Sequence, residues 1–321
     1  MVFCMVMIGG ITRLTDSGLS IVDWKPIMGI LPPLNQQEWL VAFTKYQAYP
    51  EFKIVNSQMD LAGFKAIFFW EYFHRLFGRL IGLVFFLPYV YFYFKKALSA
   101  KLNKKLLVLF FLGGLQGLMG WYMVMSGLVS NPDVSHYRLA AHLMLAFIII
   151  AYAFWIILGL KYPGHNFNSH AAMKKSLVIF ALIITMQILY GAFVAGLDAG
   201  LTHNTFPKMG RSWVPFDVSI LLSTLALFEN NVVVQFVHRS FGWLLLFMTI
   251  IMFYQQRNLA NAIQKKSIQM MLVFLIIQFL LGVTTLLMYV PLLIASIHQL
   301  GACILIILVV RSLFFTFMQE E

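Results

Sequence analysis

Apolar residues run almost unbroken through most of this chain, with neither the alternation of a half-buried strand nor the single stripe of a surface helix. Seven such runs, at roughly 67–94, 106–129, 137–160, 176–197, 231–254, 268–290 and 292–316, are bounded by Lys-rich or Pro/Gly-rich connections. Their length predicts membrane-crossing helices, because about 20 residues at 1.5 Å each span a hydrocarbon core of roughly 30 Å. The first run, Met1 to Ile11, is too short to cross, and without a basic leader it does not read as a secretory signal. It predicts the outer half of a truncated first helix.

Charge orients the helices. The connections at 95–105, 161–175 and 255–266 carry eleven Lys and Arg residues, Lys95, Lys96 and Lys101 among them, and no acidic residue. By the positive-inside bias they face the cytoplasm or its equivalent, with both termini on that side. The opposite side receives a large outer loop, residues 12–65, where Pro26, Pro32, Pro33 and Pro50 are mixed with Trp24, Trp39, Tyr46 and Tyr49. That mixture predicts an ordered cap at the interface, since disordered segments are poor in aromatics.

Composition agrees. Of 321 residues, 61% are hydrophobic and 11% charged, which excludes a water-soluble domain with its usual charged quarter. The net charge of +11 predicts no nucleic-acid partner, because the basic residues lie between apolar runs rather than on a polar or stacking surface. Cys4 and Cys303 both fall in apolar stretches, so no disulfide framework is expected.

The chain repeats itself. Asp16-Ser17-Gly18-Leu19-Ser20 returns as Asp198-Ala199-Gly200-Leu201-Thr202 at an offset of 182, and Pro26-Ile27-Met28-Gly29 as Pro207-Lys208-Met209-Gly210 at 181. His74-Arg75-Leu76-Phe77-Gly78 returns as His238-Arg239-Ser240-Phe241-Gly242 at 164, and Gln116 and Gly120 as Gln278 and Gly282 at 162. The predicted fold is an all-α polytopic membrane protein of eight transmembrane helices, the first truncated. They form two tandem four-helix bundles, residues 1–160 and 161–321. Four spans per repeat give both copies one topology, related by a pseudo-twofold axis along the membrane normal.

Four of the eight histidines, His74, His142, His238 and His298, lie inside runs, one on each even-numbered helix and each six to eight residues from the outer end. His136, His165, His170 and His203 fall in loops or at helix edges and read as solvated. Residues four positions beyond the buried four are small (Gly78, Ala146, Gly242, Ala302), leaving room on the same face for a flat macrocycle. This set points to bis-His haem ligation in the bundle cores, one site pairing His74 with His142 and the other His238 with His298. Zinc or copper is the rival, though intramembrane Cys and carboxylates are few.

The two halves differ chemically. Glu71 precedes His74 by three residues, where the second half has Gln235. An intramembrane carboxylate is costly and marks function by default, unless it serves only to pair with Arg75 at i+4. The difference predicts chemistry in the first half and a permanent cofactor in the second. Arg75, Arg79, Arg138 and Arg239, near the outer ends of these helices, are candidates for pairing with haem propionates or for snorkelling to headgroups.

The run Gly9-Gly10-Ile11-Thr12-Arg13-Leu14-Thr15-Asp16-Ser17-Gly18-Leu19-Ser20, then Trp24-Lys25-Pro26, Gly29, Pro32-Pro33-Leu34, Glu71-Tyr72-Phe73-His74-Arg75, Gly78-Arg79 and Arg138 to Leu143, resembles the haem A synthase family over the whole chain. It is closer to the proteobacterial and mitochondrial branch, for the outer loop has no Cys pair. The resemblance implies a membrane oxidoreductase that converts a ring methyl of haem O to a formyl group by two hydroxylations through a geminal diol. It implies that His238 and His298 bind the iron of a resident haem b, that His74 and His142 face the substrate haem, and that Glu71 is the catalytic carboxylate. It further implies the bacterial plasma membrane or the mitochondrial inner membrane, with a haem O synthase and an electron donor as partners. Two other readings stay open on the residues alone: a b-type electron-transfer subunit, and a haem transporter or chaperone.

Overall fold

The computed structural model describes residues 1–23, 30–127, 134–163, 171–259 and 261–317. Trp24 to Gly29, His165 and His170 therefore lie outside the described residues. Among the described residues the protein is helical, and seven helices are long and apolar enough to cross a membrane. They are α4 (Leu61–Phe94), α5 (Ala100–Gly127), α6 (His136–Lys161), α7 (Ala171–Gly196), α9 (Asn231–Gln255), α10 (Ala262–Leu287) and α11 (Leu292–Phe317). The shorter α1 (Val2–Leu14) is apolar but has only 13 residues. The chain is a multi-pass membrane protein. By contacts it divides into two compact units, Met1–His142 and Leu143–Glu321.

In the first unit α1 packs against α4, and α4 against α5 through Phe85, Phe86 and Phe110 and a Tyr89 hydroxyl donating to Asn103 at 2.9 Å. The outer loop is ordered as expected where it is described, carrying α2 (Gln36–Gln47) and α3 (Pro50–Ile54). Asn35 and Glu38 start α2 as a reciprocal cap: the Asn35 carbonyl accepts from the Glu38 N–H, and its amide donates back to the Glu38 carboxylate. Trp39, Tyr46, Phe64 and Phe68 form a buried aromatic cluster joining α2 to the first turns of α4. That cluster explains why α4 begins at Leu61, six residues before the apolar run, with Asp60 capping it through the Gly63 N–H. At 34 residues α4 measures about 51 Å, well beyond the roughly 30 Å core. Its outer turns belong to the cap.

In the second unit, which also carries the short α8 (Thr224–Glu229), α7 lies along α9 and α10 along α11. The interior is filled by Phe180, Leu245, Met271 and Phe314, each almost wholly buried, while side chains such as Leu182, Phe247 and Leu293 face outward, as lipid-facing positions should. Two corresponding turns adopt one unusual conformation. Asp16 and Asp198, which follow α1 and α7, have φ of 47° and 50°, a left-handed geometry that Asp tolerates better than most residues.

Candidate functional site

His74, His142, His238 and His298 sit on α4, α6, α9 and α11. Three lie six or seven positions from the start of their helix. His74 lies thirteen from Leu61 because α4 is extended into the cap, which corrects the equal depth expected from the apolar run alone. The rings of His74 and His142 are within electrostatic reach of one another, as are those of His238 and His298. His74 and His142 fall within the first compact unit, and His238 and His298 within the second.

Each ring is seated over a glycine of an earlier helix. A methyl added at Gly120 would stand 3.2 Å from Cε1 of His142, at Gly191 3.2 Å from Cε1 of His238, at Gly282 2.9 Å from Cε1 of His298, and at Gly9 3.3 Å from Nε2 of His74. Small residues allow helix backbones this close, and here the space is taken by imidazole. The small residues at i+4 play a different part: Gly78 receives the Met5 methyl, and Gly242 lies against Phe279 and Gln187. Pairing across space is what the sequence did not display, although Gln116 with Gly120 and Gln278 with Gly282 were its visible trace.

The rings are also held by amides. The Gln278 Nε2 donates to the His298 carbonyl at 2.7 Å and lies 3.1 Å from its Nδ1. Gln116 repeats this on the His142 carbonyl at 3.1 Å, with both ring nitrogens near. His238 donates from Nδ1 to the Gln187 backbone carbonyl at 3.1 Å, and its Nε2, the lone-pair nitrogen a metal would need, lies 3.2 Å from the Gln187 side-chain amide. The side-chain oxygens of Gln116, Gln187 and Gln278 are buried without a hydrogen-bond partner. Among the described residues no three of His, Cys, Asp or Glu gather into a metal-binding group. Paired imidazoles over glycine cradles fit haem, whose iron takes two axial ligands, better than a four-ligand zinc site.

Glu71 is 2% exposed. Its Oε2 accepts from the Ser20 hydroxyl and the Ile21 N–H, each at 2.7 Å, and its Oε1 from Arg75 at 2.5 Å. The pairing with Arg75 is therefore real, but it is one of three bonds. Arg75 also donates to the Ile21 carbonyl at 2.9 Å. In the second unit Gln235 and Arg239 both donate to the His203 carbonyl, at 3.2 and 3.1 Å, and Arg239 reaches the Thr205 carbonyl as well. Arg138 stands over the Tyr122 ring at 5.0 Å. Arg79, with Arg75, Lys45, Asp23 and Tyr72, lines a cavity of about 140 Å³ beneath the cap. His136, expected to be solvated, is instead 8% exposed, at the start of α6 with its ring 4.0 Å from that of Tyr137. Cys4 and Cys303 are free thiols.

Below the aromatic cluster, Glu51 is buried beside Tyr46, whose hydroxyl accepts from Asn56 at 2.8 Å. Burial first, and then the negative charge of Glu71, push the Glu51 carboxyl up to about 8.

A family model described as COX15-CtaA, cytochrome oxidase assembly protein, matches residues 1–310. A heme A synthase of Nitrosospira multiformis is 46% identical over 310 residues, covering 95% of this chain and 87% of that protein. One of Flavobacterium johnsoniae is 45% identical over 312 residues, covering 95% and 92%, and one of Wolbachia pipientis wMel is 46% identical over 309, covering 95% and 86%. No solved structure matches.

Proposed function

The chain belongs to the COX15-CtaA family of cytochrome oxidase assembly proteins, and on that premise we propose a division of labour between its two histidine pairs. The enzyme is an oxidoreductase of the haem A synthase class, converting haem O to haem A for terminal oxidases. In the proposed arrangement the first half, residues 1–160, presents His74 and His142 to the substrate haem. The second half, residues 161–321, holds a resident haem b on His238 and His298. Bound there, haem b supplies one-electron transfer. The short first helix and the seven long ones make up eight, in two bundles related by a pseudo-twofold axis. The Lys-rich connections and both termini face the cytoplasm.

The observation that carries this reading is the contrast between Glu71 and Gln235. Each lies three residues before a histidine of corresponding position and each is buried, but only the first can take up and return a proton. Ser20 and Ile21 fix the Glu71 Oε2, so the Oε1 shared with Arg75 is the atom that moves a proton as the methyl is oxidised. Two successive hydroxylations, each needing an external oxidant that takes two electrons from the carbon, would place two hydroxyls on it, and loss of water would leave the formyl group. Arg75, Arg79, Arg138 and Arg239 are the cations available to haem propionates. The cap over the first half limits water at the reacting carbon. A haem O synthase supplies the substrate, and a separate donor supplies electrons.

The test is expression in a host that makes haem O but no haem A, followed by extraction and chromatography with mass detection. The synthase yields haem A or its hydroxylated precursor. Haem b alone, with haem O available and the protein folded, would instead favour an electron-transfer or haem-handling role.

A further inference from the structure

A cap that keeps water from the reacting carbon also cuts Glu71 off from solvent, so a proton taken up there needs a built way out. A second buried carboxyl stands in that cap. Glu51 is 6% exposed, and among the described residues its Oε2 has no hydrogen-bond partner. An ionised oxygen is costly in such a place, so the site favours the protonated acid.

Three elements bring Glu51 toward Glu71. Phe64, Phe68 and Glu71 are spaced i, i+4 and i+7 and share one face of α4. Tyr46 of α2, fully buried, stacks on Phe64 of that face at 5.2 Å. α3 then folds Glu51 beside Tyr46: the Val55 and Asn56 N–H groups donate to the Glu51 carbonyl at 2.9 and 3.1 Å, and the Asn56 side chain donates to the Tyr46 hydroxyl at 2.8 Å. With its oxygen so engaged, that hydroxyl keeps its own proton for a neighbouring acid. Glu51 and Glu71 both lie within electrostatic reach of Tyr46 and of one another. The titratable groups facing Glu51 are Glu71 from α4, Tyr46 from α2 and Asp16 from the turn after α1. Burial raises the Glu51 carboxyl to about 8, Glu71 and Asp16 add to the rise, and Tyr46 opposes it, which leaves the group near the pH at which a proton carrier works best.

The repeat sets this arrangement apart. Between Gly29 and His74 the first outer loop is 17 residues longer than its counterpart, because the offset between the halves falls from 181 to 164. α2 and α3 stand in that interval. The half that has Glu71 therefore also has the segment that carries Tyr46 and Glu51, whereas the other half has Gln235.

We infer that Glu51 is a second proton carrier of the reaction: the proton that Glu71 takes up passes by the Tyr46 hydroxyl to the Glu51 carboxylate, and from there to the outer water. An O–H bond breaks at Glu71, one is exchanged at Tyr46 and one forms at Glu51, and no electrons move in the step. Glu51 acts through Glu71 rather than on the substrate. The inference rests on the reading of Glu71 as the carboxylate that moves a proton.

The experiment follows the rate of haem A formation by the full chain in cells of the haem O-producing host, in media buffered below and above pH 8, the Glu51 value. In the parent the rate rises with pH up to that value, because the Glu51 carboxylate that accepts the proton becomes more abundant. A role confined to holding the cap together predicts the opposite slope, since loss of that proton weakens the cap. E51Q keeps the side-chain shape but carries no proton, so haem A forms about 100-fold more slowly, the lower end of what a positioned proton carrier contributes. Its pH slope disappears, while its outer loop resists proteolysis as in the parent. E51D recovers part of the rate and the slope, and Y46F, which keeps the ring stack, is slowed like E51Q. A parental rate in E51Q would send the proton through the cavity at Lys45 and Asp23 instead and overturns the inference. So does a slowed E51Q that keeps the parental slope, or a parental rate that falls as pH rises to 8. Should E51Q lose its loop to proteolysis, Y46F decides, and a parental rate there overturns the relay. E71Q tests the underlying reading separately: normal haem A yield there removes Glu71 as a carrier, whatever E51Q does.

Discussion

Replacing Glu71 with Gln is the most informative single change, because the carboxylate has both a structural and a proposed chemical duty. Its Oε2 takes two bonds and its Oε1 takes Arg75. In E71Q the remaining carbonyl oxygen can keep Ser20 and Ile21, although those bonds fall from charge-assisted to neutral strength, a loss of about 1 kcal/mol each. The new NH₂ then faces the Arg75 guanidinium, donor against donor. Removing one partner of a buried ion pair costs roughly 3–5 kcal/mol. Arg75 keeps the Ile21 carbonyl and is slightly exposed, so the whole effect is expected near that range rather than above it. The segment at Ser20 and Ile21 should loosen from α4, read as faster proteolysis of the outer loop by more than about 100-fold, together with loss of haem A. Adding R75M to E71Q removes the stranded cation and should restore much of the protection without restoring haem A. Parental protection of the loop in E71Q would refute the structural argument, and normal haem A yield would refute the chemical one.

Three further outcomes follow from the geometry. Glu51 keeps its proton to about pH 8 in the folded cap, against 4.5 for an ordinary glutamate; the folded state therefore binds more protons between these values, and cap stability should fall as pH rises from 4.5 to 8, by at most about 5 kcal/mol at 1.4 kcal/mol per unit. Thermal unfolding of E51Q should lose that slope, and an unchanged slope would assign it elsewhere. G282A places a methyl 2.9 Å from His298 Cε1, so the ring must shift and the purified protein should carry less haem b, measured by pyridine haemochrome; parental content would mean the seat yields. N35A removes the cap of α2 and should cost about 1 kcal/mol, seen as earlier proteolysis within residues 36–47, with no change if the aromatic cluster alone holds that helix.

Much of this was legible in the residue order because lipid imposes a simple rule. A span must be apolar along its whole length and satisfy its own backbone bonds, so α5, α6, α7, α9, α10 and α11 announce themselves, as do histidines that would otherwise be excluded. The duplicated motifs likewise put Glu71 opposite Gln235 without any coordinates. What stayed hidden depends on contacts between distant segments. Nothing near Glu71 indicates that Ser20 and Ile21, about 50 residues away, close over its Oε2. Of the seat glycines, Gly120 and Gly282 were visible only as part of a repeated motif, since their purpose appears when another helix brings a ring above them. The early start of α4 was masked by Lys65, which interrupts the apolar run although aromatic packing with α2 carries the helix through it. His136 was misjudged because a position at a helix edge does not by itself reveal burial.

The length of α4 also matters mechanically. One uninterrupted helix from Leu61 carries Phe64 and Phe68 in the cap, then Glu71, then His74. An α-helix of this kind resists bending far more than a loop does, so a twist imposed on the cap reaches the imidazole as rotation about a shared axle instead of being absorbed at a joint. Glu71 and His74, less than one turn apart on that axle, ride on the same stretch of backbone, and their relative placement survives any rocking of the cap above.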